Sequence, residues 1–196
     1  MKNNEIDPLL ITEFIDRFGF GTLFSQDLQS THLPLLYQNG VITGHMARSN
    51  GQAKLPNGER VKVVFNGPHS YISPTWYTSR PAVSTWNYAA LHFIGRYEAL
   101  NSSDTLAIIN ALISKYEPEI LGDQTLSDDA YIQKLLKAVC GFQIIIEEAQ
   151  LIEKLGQHKK SIDQQGVFEA LIVADTNNSR QLANYMKGRG VGTGQL

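Results

Sequence analysis

The chain has 196 residues, 42% of them hydrophobic, which is enough to bury the core of one ordinary globular domain and too many for a disordered chain. Seventeen Lys and Arg against nineteen Asp and Glu give a formal charge of -2, so no global positive field draws in nucleic acid. One cysteine, Cys140, excludes an intramolecular disulfide and any cysteine-rich metal site.

No run approaches the roughly 20 apolar residues that cross a bilayer. The opening MKNNEIDPLL lacks the apolar core of a signal peptide. A cytoplasmic chain with no membrane association is expected. Asp7 followed by Pro8 marks a helix start, with Leu10, Phe14 and Phe18 recurring at four-residue spacing and Gly19 as the stop. The rhythm then changes to short β-rich runs: FGTLFS, THLPLLY, VITGHM, RVKVVFNG and the long TWNYAALHFIGRYEAL. Turn signals such as Asn39-Gly40 and Asn57-Gly58 separate them, and the connections are too short for crossover helices. This predicts an antiparallel meander that closes on itself as a small barrel.

Residues 103–116 place Leu106, Ile109 and Ile113 on one helical face, and Ser127 caps a second run holding Ile132, Leu135 and Val139 before Gly141. The chain returns to strand in FQIIIEEAQLIEKLG and finishes in helices near GVFEALIVA and SRQLANYMK, with the last residues, GRGVGTGQL, expected to be loose. The predicted fold is mainly β with helical additions (α+β). It is a single domain over 1–196, with a helical excursion at 103–138 and C-terminal helices at 163–188. The two helices of the excursion are ten residues apart, across Pro118 and Gly122, which is longer than the turn of a helix-turn-helix. No DNA-recognition element stands out.

Candidate chemistry concentrates between residues 31 and 92, which hold four of the five histidines and both tryptophans. A catalytic metal would lack its usual partners, because there is no HExxH or CxxC and no Asp or Glu between 31 and 58. Cys140 lies in the apolar context AVCGF with no neighbouring base, and no GxSxG elbow is present. The segment GHMARSNGQAK fits an anionic cofactor better. It reads as a strand broken at Ser49-Asn50-Gly51, so its Arg, Asn, Gln and turn-amide donors converge on phosphate oxygens. Pro34 in THLPLLY removes a ladder donor and suggests an edge or bulge with free backbone groups. Taken singly, each feature has an ordinary structural explanation: a turn at Asn50-Gly51, a solvated Arg48, core tryptophans.

The succession THLPLL, GHMARSNGQ, FNGPHSYISPTWY and STWNYAALHFIG resembles, in order and spacing, the PaiB family of flavin-binding negative transcriptional regulators. The later KLGQHKKSIDQQGV resembles that family's closing motif. The resemblance implies an FMN-binding split β-barrel, and a homodimer holding FMN in a groove between subunits. It places Thr31, His32 and Leu33 near the flavin ring, and His45, Met46, Arg48, Asn50 and Gln52 toward the ribityl phosphate. His69, Tyr71, Ser73, Trp76, Trp86 and Tyr88 would line the same groove or the dimer seam, and Lys159 stands where the family has an Arg. The chain also departs from the family pattern at Gly51, Ala53, Ser84, Gly156 and His158. Lys in place of Arg keeps the charge but loses bidentate phosphate geometry.

The implied function is a dimeric ligand or redox sensor that lowers transcription, with DNA as a possible partner. The alternative is a flavin oxidoreductase using NADH or NADPH, with no catalytic acid or base evident, and a smaller possibility is haem binding through a histidine.

Overall fold

The computed structural model describes residues 6–120, 123 and 129–194. They fall into two compact units, one of Met1–Phe65 with His92–Gln150 and one of Asn66–Leu91 with Leu151–Leu196. The expected Ser127 cap lies outside the described residues, as does Gly122. None of the described helices is long and apolar enough to cross a membrane.

The first unit opens with α1 (Pro8–Arg17), capped by the Asp7 carboxylate, which accepts from Leu9 N at 2.9 Å. Its buried stripe is Ile11, Phe14 and Ile15. Then follow β1 (Phe20–Phe24), β2 (Ser30–Pro34), β3 (Leu36–Gln38) and β4 (Val41–Ala47). Three long strands, β5 (Arg60–Ile72), β6 (Thr85–Ala99) and β7 (Val139–Lys154), contribute residues to both units. The strand order is β2-β1-β5-β6-β7-β4-β3, and the pairs β1–β2, β1–β5, β3–β4 and β4–β7 are antiparallel.

The sequence run THLPLLY is therefore two strands rather than one. Pro34 ends β2, and Leu35 alone links β2 to β3, which lie at opposite ends of the order. A flat seven-stranded sheet would hold those ends roughly 29 Å apart. A single residue bridges only about 3.6 Å, so the sheet curls into a split barrel. Leu35 is fully buried, and its amide donates to Gly19 O at 2.9 Å. A Cβ at Gly21 of β1 would lie 3.0 Å from Leu35, and one at Gly44 of β4 would lie 2.6 Å from it. Glycine at both positions lets the barrel close around this side chain.

The unit also contains α2 (Ser102–Tyr116) and α3 (Asp129–Ala138). The buried face of α2 is Thr105, Ile108 and Leu112, one position from the expected Leu106, Ile109 and Ile113, which are half-buried. The reason is Gly141. Its amide donates to Thr105 Oγ1 at 2.9 Å, and its missing side chain gives that threonine room. In α3, Leu136 is buried while the expected Leu135 is 44% exposed, and Val139 already belongs to β7.

The second unit adds α4 (Ser161–Val173) and α5 (Asn177–Arg189), packed through Val167, Leu171, Leu182 and Met186. Asp163 accepts from Ser79 N at 2.7 Å, and Glu153 accepts from Tyr185 OH and Arg189 Nε. The expected loose terminus is packed as far as it is described. Gly190 closes α5 in left-handed backbone, Thr193 is buried, and Gly194 leaves no room for a Cβ beside Gln165.

Candidate functional site

In the first unit the turn after β4 carries the donors. Asn50 N donates to Ala47 O at 2.9 Å, which folds the chain back, and the Asn50 Oδ1 accepts from Gln52 N at 2.9 Å to cap a 3-10 turn over Gly51–Lys54. Asn50 Nδ2 donates to Thr31 Oγ1 at 3.0 Å, tying this turn to β2. Thr31, Asn50 and Gln52 are thus brought together, with Arg48 two residues away.

Gln52 is almost fully buried. Its Nε2 lies within hydrogen-bond distance of Ser25 Oγ and Gln29 O, both at 3.0 Å, and of Leu23 O at 3.3 Å. Three acceptors share two N–H groups, and turning the amide over would set its oxygen against two carbonyls, so this orientation is fixed. Its donors are spent inside the protein, while Oε1 is buried with no partner among the described residues. Gln52 therefore holds the β1–β2 hairpin to the turn and offers a ligand no proton.

The Thr31 hydroxyl donates back to Asn50 Oδ1 at 3.4 Å, so the donors that remain are the exposed Arg48 guanidinium, which makes no ion pair among the described residues, the second Asn50 Nδ2 proton and the amides of Ser49 and Gly51. No carboxylate occurs between residues 47 and 54. Free amides, a guanidinium and a carboxamide N–H at one turn suit a phosphate dianion.

The remaining nominated residues divide by strand alternation. Leu33 (7% exposed) shares the inward face with Thr31, and Met46 (3% exposed) faces inward from β4. His32 takes the opposite face of β2, stacked at 6.1 Å on the exposed Phe20. His45 pairs with Gly141, under the face that Thr105 of α2 covers, and its Nδ1 is buried without a partner. Burial holds its pKa below the ordinary histidine value, so it is neutral at pH 7. Two grooves open in this unit. One of about 840 Å³ lies along Tyr37, Val41, Thr43 and Ile108, and one of about 610 Å³ along Phe24, Leu28, Lys62 and Ile94. Neither is lined by a residue nominated from the sequence.

In the second unit, His69 and Tyr71 alternate with buried Ser70 and Ile72 on β5 and present their rings to Trp86 of β6, each at 6.2 Å. Tyr71 is 46% and Trp86 53% exposed, so this tryptophan is surface and not core. Asn178 Nδ2 lies 3.4 Å from His69 Nε2. Ser73 is spent as a cap, accepting from Thr75 N at 3.2 Å. Trp76 and Tyr88 are half-buried, the former with its carbonyl against Gly166. Lys159 holds its ammonium 5.3 Å from the Tyr77 ring centre.

Sequence reading missed Ser25 and Gln29, whose groups anchor Gln52. The one available signal was the polar cluster SQDLQS between two strands, which looks like any hairpin tip.

The profile of a family described as "Putative FMN-binding domain" matches residues 2–148. The chain is 33% identical over 191 residues, 91% of each protein, to "Protease synthase and sporulation protein PAI 2" of Bacillus subtilis. It belongs to the PaiB family of FMN-binding proteins. An uncharacterized protein of Emericella nidulans is 30% identical, covering 83% of this chain and 82% of its own. Among solved structures, the flavocytochrome Anf3 from Azotobacter vinelandii superposes with a TM-score of 0.62 at 12% identity, covering 76% of this chain and 67% of that one. The FAD and haem binding protein from Mycobacterium smegmatis does so with a TM-score of 0.61 at 12% identity, over 78% and 74%. At such identity these two share the fold alone. The cofactor of this PaiB-family chain is FMN, and the free donors of the 48–51 turn fit its phosphate.

Proposed function

We propose that this PaiB-family chain is a homodimeric FMN-binding sensor that responds to a ligand or to redox state and lowers transcription, directly or through a partner. The observation that carries the binding part is the set of unspent donors on Arg48, Asn50 and the Ser49 and Gly51 amides, with no carboxylate on that turn. Arg48 supplies the charge and the fork for the phosphate, and Asn50, held by Thr31, adds a directed hydrogen bond. Gln52 keeps the turn in place from behind. Leu33 and Met46 give the adjoining wall its apolar character. FMN, when bound, supplies reversible electron-transfer chemistry.

The exposed ring cluster of His69, Tyr71 and Trp86 supports the dimer part of the reading, because aromatic residues concentrate at subunit interfaces. The sensing role draws support from the absence of a positioned acid or base at the turn. His45 is neutral and covered, and Asn50 and Gln52 carry no ionisable group.

The test is an absorbance spectrum of the protein purified from cells, followed by addition of NADH or NADPH and by sedimentation. Bound flavin that neither nicotinamide bleaches, in a dimer, is the expected result. Rapid bleaching would replace the sensor with an oxidoreductase, and a colourless protein that fails to take up added FMN would defeat both. DNA affinity that falls steeply with salt would indicate direct phosphate contacts, and no binding at low salt an indirect role.

A further inference from the structure

The groove of about 610 Å³ on the outer face of the first unit has no part in the flavin reading. β1 and β5 pair there with Thr22 opposite Val64 and Phe24 opposite Lys62. Phe24, Lys62 and Val64 line the groove, and Ile94 of β6 completes an apolar floor. Over it stands the β1–β2 hairpin tip, where Leu28 is 88% exposed with a backbone φ of 67°. A leucine normally avoids both that exposure and that conformation, so an apolar occupant beneath the tip would bury a side chain now facing water.

The charges at the rim are unequal. Arg60 is already engaged by Glu148 at 2.7 Å and by Glu147 at 3.7 Å. Among the described residues Lys62 makes no ion pair or hydrogen bond, and none of the residues lining the groove is acidic. An apolar floor of ligand-sized volume, with an ammonium at its mouth that has no ion-pair partner among the described residues, matches an anion with a hydrocarbon body.

We propose that this groove binds a small amphipathic carboxylate, its chain against Phe24, Val64 and Ile94 beneath Leu28 and its head on Lys62. The proposal requires the flavin to sit elsewhere, at the 48–51 turn.

Calorimetric titration of the full chain with decanoate tests it, with uncharged decanol as the control. One decanoate per chain is expected, with decanol bound at least tenfold more weakly. Lys62→Glu should weaken decanoate at least tenfold, and Leu28→Asp, at a solvent-facing position, several-fold. Both variants should keep the parent's melting temperature and FMN affinity. The proposal is overturned by any of four results: no decanoate binding, equal binding of decanol, binding that survives Lys62→Glu, or competition between FMN and decanoate, which would make the groove part of the flavin site. It is also overturned if Leu28→Asp turns a dimer into a monomer, since the face would then belong to a second copy of the chain.

Discussion

Replacing Gln52 with Leu removes the amide that joins the β1–β2 hairpin to the turn after β4, while keeping side-chain volume nearly constant. Two N–H groups are lost, and each intramolecular hydrogen bond contributes about 1 kcal/mol net. Gln29 O keeps its bond from Ser25 N at 3.1 Å, so it is not orphaned. Removing the partnerless Oε1 returns part of a desolvation cost. The balance is a loss of about 1–2 kcal/mol. Urea unfolding followed by far-UV circular dichroism should show it as a lower midpoint with an unchanged slope. Gln52→Glu should cost more at pH 7, because a carboxylate would face the carbonyls of Leu23 and Gln29. That excess should shrink as the pH falls and the acid regains a proton to donate. A Gln52→Leu protein within about 0.5 kcal/mol of the parent, the range of an ordinary surface substitution, would refute the assigned role.

Arg48→Ala should weaken FMN binding by about 1.5 to 3 kcal/mol, the worth of a charge-assisted contact, as read by quenching of flavin fluorescence, with Arg48→Lys in between. Burial holds His45 and His92 below the usual histidine pKa, the latter helped by Lys62. The unfolded chain therefore takes up protons near pH 6.5 that the folded chain refuses. Their contribution is complete above about pH 6.5 and declines as the pH falls below it; urea midpoints at pH 7.5 and 5.5 should differ accordingly, and the double variant His45→Gln/His92→Gln should flatten the profile. Gly141→Ala would set a methyl 2.6 Å from Thr105 Oγ1 and 3.0 Å from its Cα; overpacking of this kind costs about 1–3 kcal/mol, measurable as a lower melting temperature.

Local chemistry carried much of the fold in readable form. The Asp7-Pro8 start fixed α1, and Asn39-Gly40, with φ of 49° and 80°, makes the tight β3–β4 turn that the dipeptide announces. Long-range chemistry did not show. Nothing in THLPLLY says that its halves belong to opposite ends of the sheet, because a one-residue break at a proline has no periodic signature. The buried stripe of α2 was misread by one position because Thr105 outcompetes neighbouring aliphatic residues through a glycine 36 residues away in the chain. At the candidate site, Arg48 and Asn50 were legible from the broken strand. The role of Gln52 was not, since a glutamine facing solvent and one clamped between two carbonyls look alike in sequence. Trp86 misled in the other direction, as a large apolar residue that the structure leaves half in water.

Because Leu35 alone separates the two terminal strands of the curled sheet, neither can peel away without pulling on the other. Fraying at one margin is mechanically coupled to fraying at its opposite. Opening of the first unit should therefore be an all-or-none event rather than a progressive unzipping. An insertion of flexible residues after Pro34 would decouple the two margins and let each fray by itself.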